Sequence, residues 1–152
     1  MSSFDIFRRL ESTDDNQEAL RQEVKTYKAA GAIAAGDFLE LDASKSGATR
    51  ALYVKKCTTV ATVGNGGVVG VALEAAAAAD DDIRVVTRGY VASANVRTGL
   101  SAGTILCGPI TGGGGLAGRA DFATAATLGG IAVALTDDSA VTNKASVWLF
   151  AR

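Results

Sequence analysis

Most of the chain after Val24 consists of short runs with extended character, and the clearest of them alternates apolar and charged residues with a period of two. Such alternation is typical of strands that bury one face. In residues 83–91, for example, Arg84 and Arg88 fall on one face and Ile83 and Val85 on the other. The pattern predicts strands at residues 24–28, 37–42, 51–55, 68–73, 83–91, 104–107, 131–135 and 145–151.

Two stretches of the chain are nearly the same. Residues 67–74 read GVVGVALE, and residues 129–136, which lie 62 positions later, read GGIAVALT. Upstream, residues 35–39 (AGDFL) resemble residues 102–106 (AGTIL) at an offset of 67 positions. Two copies predict one domain built from two similar halves, because a solenoid needs at least about three units.

Turn signals separate the expected strands. Asn65-Gly66 is the strongest short hairpin signal in the chain, and glycines occupy every position of residues 112–115. Short strands with frequent turns predict an all-β fold over residues 25–152, either a small β-barrel or a β-sandwich with an internal pseudo-repeat. Its expected core combines residues matched between the copies with the single tryptophan: Val71, Leu73, Val133, Leu135 and Trp148.

Residues 1–24 form a different segment, which we interpret as an N-terminal arm with some helix. It holds no glycine and much of the charge. Its large apolar residues are spaced three or four apart, which places them on common helical faces. Two interpretations remain open: a loose terminal tail, or an arm that orders on a partner. In the second, the partner-binding residues are Phe4, Ile6, Phe7, Arg8, Arg9 and Leu10.

Composition excludes several classes of protein. A chain of 152 residues predicts one domain. The net charge of −1 favours neither nucleic acid nor a membrane surface as a partner. Two cysteines are too few for a disulfide scaffold. Residues 98–118 are uncharged but rich in glycine, so they do not resemble a membrane span. We expect a soluble protein made in the cytoplasm.

Candidate catalytic chemistry is weak. The chain has no histidine, which excludes Ser–His and Cys–His nucleophile systems. Gly113, Gly115 and Gly118 match the spacing of the dinucleotide fingerprint. However, the crossover at residues 119–128 is short, and no second βαβ half can follow it. We therefore expect neither an enzyme nor a bound nucleotide, and no cofactor.

Candidate metal and nucleic-acid sites are equally weak. The spacing of Asp80, Asp81 and Asp82 relative to the acidic pair at residues 137–138 fits no calcium loop, so solvated turns are expected. Cys57 and Cys107 lack zinc-ligand spacing and are interpreted as small buried residues. The basic residues have no interleaved aromatic residues and are expected on solvated strand faces: Lys55, Lys56, Arg84, Arg88 and Arg97.

One combination of motifs resembles a known family. Gly36-Asp37 opens a strand, residues 68–73 read VVGVAL, residues 75–82 form an alanine-rich acidic connector, and residues 83–91 read IRVVTRGYV. This order is similar to that of small bacteriophage head decoration (cement) proteins. The resemblance covers roughly residues 24–91 and, more faintly, the second copy.

The resemblance implies a structural protein that binds the outer surface of an assembled phage head and stabilises it. The expected partner is the major capsid protein, the expected assembly is a homotrimer, and the expected location is the virion. A terminal arm often spreads over the shell in such proteins, which suits residues 1–24. The alternatives are a tail or baseplate β module, or a carbohydrate-binding module, which requires exposed aromatic residues.

Overall fold

The computed structural model describes residues 21–58, 68–109, 117–122, 130–138 and 143–150. In these ranges the only helix is α1, which has four residues and is too short to span a membrane. The elements, in chain order, are β1 (Gln22–Ala29), β2 (Phe38–Leu41), α1 (Gly47–Arg50), β3 (Tyr53–Lys56), β4 (Val68–Ala72), β5 (Asp82–Asn95), β6 (Ile105–Cys107), β7 (Asp121–Phe122), β8 (Ala132–Ala134) and β9 (Lys144–Leu149). The predicted all-β fold is confirmed.

The first five strands close into a barrel, which decides between the barrel and sandwich predictions. The order is β1–β3–β2–β4–β5, and β5 pairs back onto β1. We call this unit the first barrel. Its interior is a separate core of buried side chains, which are Ala29, Ile33, Leu39, Val54, Ala72, Ala76, Ile83 and Val85. Alternating residues of each strand supply this core, as the period of two requires.

The second copy repeats the pairing of the first. β6 pairs with β7 and β8, and β8 pairs with β9, which pairs with the end of β5. A parallel bridge between Val96 and Ala120 closes this unit, which we call the second ring. That bridge is the counterpart of the parallel pair Ala29 and Val54 in the first barrel.

Strand registers match between the units at the offsets read from the sequence. Phe38 opposes Val71 in the first barrel, and Ile105 opposes Val133 in the second ring. The hydrogen bond from Gly36 N to Ala72 O is 2.8 Å long, as is the bond between its counterparts, Gly103 N and Ala134 O. The predicted duplication is therefore confirmed, and β4 and β8 are equivalent strands.

β5 joins the two units. It is 14 residues long: its first half pairs with β1 and closes the first barrel, and its second half pairs with β9. A bulge between Val91 and Ala94 lies in the second half. Across the junction, Phe38, Val71 and Val86 belong to the same buried core as the interior of the second ring. One strand and one shared core thus hold the halves together.

The predicted core is correct at Val71, which is fully buried, and wrong at Leu135, which is 44% exposed. Val133 and Trp148 are only half-buried, and so is Leu73. The reason is that Val133, Leu135 and Trp148 lie on the outer face of the second ring. The sequence also did not predict β7 or α1. β1 begins at Gln22, inside the segment assigned to the arm.

Candidate interaction surface

An apolar row crosses the outer face of the second ring. Tyr90 opposes Trp148, Trp148 opposes Val133, and Val133 opposes Ile105. Directly opposed residues in a sheet project from the same face, so these side chains lie side by side. Ile105 is 42% exposed and the other three are half-buried. Leu135, two residues beyond Val133, extends the surface. We call these five residues the apolar row.

The first barrel carries the equivalent row. There Val24 opposes Val86, Val86 opposes Val71, and Val71 opposes Phe38. Val86, Val71 and Phe38 are completely buried, because they belong to the core shared with the second ring. The chain therefore uses this face once as an internal contact and presents it a second time on the surface.

A groove runs beside Trp148 at the start of β1. It has a volume of about 600 Å³ and is lined by Arg21, Gln22, Glu23, Arg88, Gly89 and Trp148. Gln22 Nε2 donates a hydrogen bond of 2.5 Å to the carbonyl oxygen of Tyr90, which ties β1 to the apolar row. The groove thus adjoins the point at which residues 1–20 join the barrel. The partner-binding residues predicted from the sequence lie outside the described residues: Phe4, Ile6, Phe7, Arg8, Arg9 and Leu10.

Three buried carboxylates each face a basic side chain. The N–O distances are 3.2 Å between Lys56 and Asp37, 3.4 Å between Lys55 and Glu40, and 3.2 Å between Arg97 and Asp121. Each pair joins a buried acid to a half-exposed base, which compensates the cost of burying the charge. The basic residues Lys55, Lys56 and Arg97 thus have internal ion-pair partners. Arg84 likewise pairs with Glu74.

Both cysteines are fully buried, as the sequence predicted. The Cys57 thiol donates to Glu40 Oε2 and the Cys107 thiol to the Asp121 carbonyl oxygen, each at 3.5 Å. Burial, with Asp121 nearby, raises the pKa of Cys107 to about 11. The thiol is therefore protonated at neutral pH, and a thiolate is the form that acts as a nucleophile.

The acidic residues at the connection from β4 to β5 build a turn. Asp80 Oδ1 accepts a 2.6 Å hydrogen bond from Tyr53 Oη, which raises the pKa of the tyrosine. Asp81 Oδ2 accepts bonds from the backbone N–H groups of Ala77 and Ala78, and Asp82 pairs with Lys28 at 2.7 Å. Over the described ranges, no group of three or more potential ligands is placed to hold a metal ion.

Of the three fingerprint glycines, Gly113 and Gly115 lie outside the described residues, whereas Gly118 lies at the junction of the two units. Its N–H donates to Cys57 O at 3.0 Å and its carbonyl accepts from Phe38 N at 2.8 Å. A Cβ on Gly118 would lie 2.7 Å from Asp37 Oδ1. This glycine thus allows the second ring to approach the first barrel closely.

No protein-family model matches the chain, and a search of curated proteins returned no match. The candidate surface is therefore inferred from the sequence and structure of this chain alone. Sequence reasoning did not identify the apolar row, because it assigned Val133, Leu135 and Trp148 to the core. The repeat carried a signal that distinguishes the rows: Phe38 and Val86 are replaced by Ile105 and Trp148.

Proposed function

We propose that this protein is a capsid decoration protein: it binds the outer surface of an assembled phage head, contacts the major capsid protein and stabilises the shell. The observation that carries the proposal is a closed β body with an apolar row on its outer face. Such an exposed row is typical of surfaces that bind other proteins. A structural role in the virion also agrees with the sequence resemblance.

Rigidity favours this role. The first barrel is a closed cycle of strands in the order β1–β3–β2–β4–β5. Its sheet therefore has no unpaired edge strand. β5 then continues into the second ring without a break. A body of this kind loses little conformational entropy on binding, which preserves affinity.

The arm supplies a second set of contacts in the proposal. Phe4, Ile6, Phe7 and Leu10 are large apolar residues in a segment too short to hold a helix alone in water. Burying each such side chain contributes roughly 1.5–3 kcal/mol, less the cost of ordering the chain. Arm and body together would then hold neighbouring capsid subunits.

The test is a chain that lacks residues 1–10, assayed for binding to heads that lack the protein. We expect it to keep the thermal transition of the full chain and to bind heads more weakly, because the first barrel has its own core. A matched pair locates the effect: Phe4→Ala with Phe7→Ala should reduce binding, whereas Ser2→Ala with Ser3→Ala should not. Equal binding by all variants would remove the arm from the proposal.

Whole particles distinguish decoration from a tail or baseplate role. A decoration protein should co-purify with intact heads free of tails, and heads without it should release DNA at a lower temperature. Association with isolated tails alone would instead support the tail or baseplate alternative. Either result can be read directly by electron microscopy of the particles.

A carbohydrate-binding module is a second candidate, favoured by one observation. Tyr90 and Trp148 are adjacent, half-buried aromatic residues on a β-sheet face. Aromatic faces of this kind can stack on sugar rings. Because Trp148 is the single tryptophan, its fluorescence reports directly on this surface. Titration with a panel of bacterial polysaccharides should leave the emission unchanged if the proposal of decoration is correct.

A further inference from the structure

We propose that residues 1–10 pack onto the apolar row of their own chain while the protein is free in solution. The N-terminal arm would then cover the apolar row until a partner displaces it. This inference concerns the free chain, so it does not depend on the proposed function. If the chain also binds a phage head, the arm must leave the row to reach the shell.

The arm joins the body beside the apolar row. Arg21, the first described residue, lines the groove next to Trp148. Gln22 begins β1, and its Nε2 donates a hydrogen bond to the carbonyl oxygen of Tyr90. Tyr90 and Trp148 are opposed residues at one end of the row. Residues 1–20 are therefore tethered at that end of the row and not on a distant part of the surface.

The linker between arm and body is long enough to reach every residue of the row. Ten residues separate Leu10 from Arg21, and an extended chain of that length spans up to about 33 Å. The row crosses four neighbouring strands, β5, β9, β8 and β6, which is about 14 Å at the usual spacing of strands in a sheet. A segment tethered so close has a local concentration on the order of millimolar. Its own row is therefore favoured over the row of a second copy.

The sequence of the arm has two distinct sides. At about 3.6 residues per helical turn, the four large apolar residues of positions 4–10 fall within one half of the circumference, whereas Arg8 and Arg9 fall in the other half. The apolar residues are Phe4, Ile6, Phe7 and Leu10. A segment of this length cannot hold a helix alone in water, so it needs an apolar surface on which to order. Amphipathic helices bind hydrophobic grooves in this way.

The apolar row offers such a surface. Ile105 is 42% exposed and Leu135 is 44% exposed, which makes them two of the four exposed large apolar residues in the described part of the chain. Tyr90, Trp148 and Val133 are half-buried beside them. No residue of the row is charged, so covering the row does not remove an ionised group from water. Apolar contact between arm and row therefore stabilises the docked state.

Charge is complementary where the linker leaves the body. Residues 11–20 contain four acidic side chains and no basic one: Glu11, Asp14, Asp15 and Glu18. The groove from which they leave contains Arg21 and Arg88. Its single acidic residue, Glu23, pairs with Lys25 at 2.9 Å, so the charge of Glu23 is compensated. The basic groove attracts the acidic linker and so keeps the arm on the side of the row.

Trp148 is the single tryptophan, so its fluorescence reports whether the row is covered. Phe4→Ala with Phe7→Ala should increase the acrylamide quenching of Trp148 and shift its emission to longer wavelength, because water and quencher gain access. Ser2→Ala with Ser3→Ala is the matched control and should change neither quantity. Circular dichroism should show the same fold in both variants. If the phenylalanine variant has the quenching and emission of the native chain, the proposal is wrong.

Trypsin tests the same contact from the side of the row. A docked arm resists cleavage after Arg8 and Arg9, since a protease needs a locally open chain. Ile105→Asp and Leu135→Asp replace exposed side chains of the row, and each should accelerate this cleavage, measured by mass spectrometry of the released peptide. Ala43→Asp, at an exposed site outside the row, should leave the rate unchanged. A cleavage rate that is unchanged in both row variants would overturn the proposal.

Dilution distinguishes an arm that packs on its own chain from one that packs on a second copy. The protection of Trp148 from quencher, and of Arg8 and Arg9 from trypsin, should be the same in dilute and concentrated samples of the full chain. Protection that is lost on dilution would place the arm on a neighbouring copy and overturn the proposal. None of these measurements involves phage heads, so this proposal and the proposed function can fail separately.

Discussion

The two halves of this molecule have the same strand pairing and opposite surroundings. In the first barrel, the outer row that ends at Phe38 is buried in the core shared with the second ring. In the second ring, the same row ends at Ile105 and faces solvent. Duplication has preserved the backbone hydrogen bonds, whereas the side chains on this face have diverged. The difference shows that a conserved strand register identifies the fold of a repeat. It does not determine whether the side chains on the outer face are buried.

A comparison of Phe38 and Ile105 gives the largest expected effect. Phe38→Ala should reduce the free energy of unfolding by about 3–5 kcal/mol, because it empties a fully buried site. Ile105→Ala should cost less than about 1 kcal/mol in the monomer, since its side chain is 42% exposed. Denaturant unfolding of dilute samples measures both. Equal losses would mean that the two rows do not differ in burial.

The glycines Gly36 and Gly103 test the same comparison at the backbone. Both have positive φ angles, +89° and +84°, so an alanine at either site costs about 1–2 kcal/mol. A Cβ on Gly36 would also lie 2.6 Å from Ser93 O, whereas a Cβ on Gly103 would have no neighbour within 4 Å. Relieving that clash should increase the loss in free energy of unfolding by about 1–3 kcal/mol for Gly36→Ala, but not for Gly103→Ala.

Chemical denaturation of Gly36→Ala and Gly103→Ala measures this difference directly. The larger loss is expected for Gly36→Ala, because its Cβ meets backbone that belongs to the other unit. If the two alanine variants were equally stable, the junction could adjust to the added methyl group. The close approach of the two units at Gly36 would then be unimportant for stability.

The sequence predicted much of this fold because its signals are local. Short extended runs located eight of the strands, and the repeat offsets of 62 and 67 positions predicted that β4 and β8 are equivalent. β7 escaped prediction because two residues are too few to show a period. The sequence left the barrel and the sandwich as alternatives, since the pairing of β1 with β5 that closes the barrel joins residues distant in sequence.

The candidate surface was harder to predict than the fold. Leu135 aligns with Leu73 in the repeat, so the pattern assigned both to the core. Only the arrangement of the two units shows that Leu73 packs against the shared core and that Leu135 does not. Hydrophobic periodicity identifies the residues that become buried, either within the fold or in a contact with another molecule. It does not say whether their partner lies in the same chain.

Leu73 and Leu135 give an intermediate effect. Leu73→Ala should cost about 1–2 kcal/mol, less than the 2–5 kcal/mol of a fully buried leucine, because its side chain is half-buried against the shared core. Leu135→Ala should change the stability of the monomer by no more than about 0.5 kcal/mol. Thermal and denaturant unfolding of the two variants should agree on this order. A larger loss for Leu135→Ala would place it in a core after all.

The smallest expected effect comes from a matched pair of polar contacts. In the first barrel, Glu74 accepts hydrogen bonds from the Arg84 backbone at 3.1 Å and from its guanidinium at 2.9 Å. At the equivalent place in the second ring, Thr136 Oγ1 accepts a hydrogen bond from Ser146 N at 3.0 Å. The geometry is conserved, but only the first contact contains a group that titrates.

The Arg84 side-chain hydrogen bonds, with the Arg84 N–H, hold the pKa of Glu74 below its usual range. A carboxylate whose pKa is lower in the folded state stabilises the protein above its unfolded pKa, and that contribution disappears as the pH falls through the folded value. The difference in Tm between the native chain and Glu74→Gln should therefore be constant above about pH 6 and shrink toward about pH 3. The corresponding difference for Thr136→Val should not vary over this range. Because Arg84 is mostly exposed, the Glu74 effect should be small and should weaken further in high salt. A difference for Glu74→Gln that grows on acidification would show that the ion pair does not stabilise the fold.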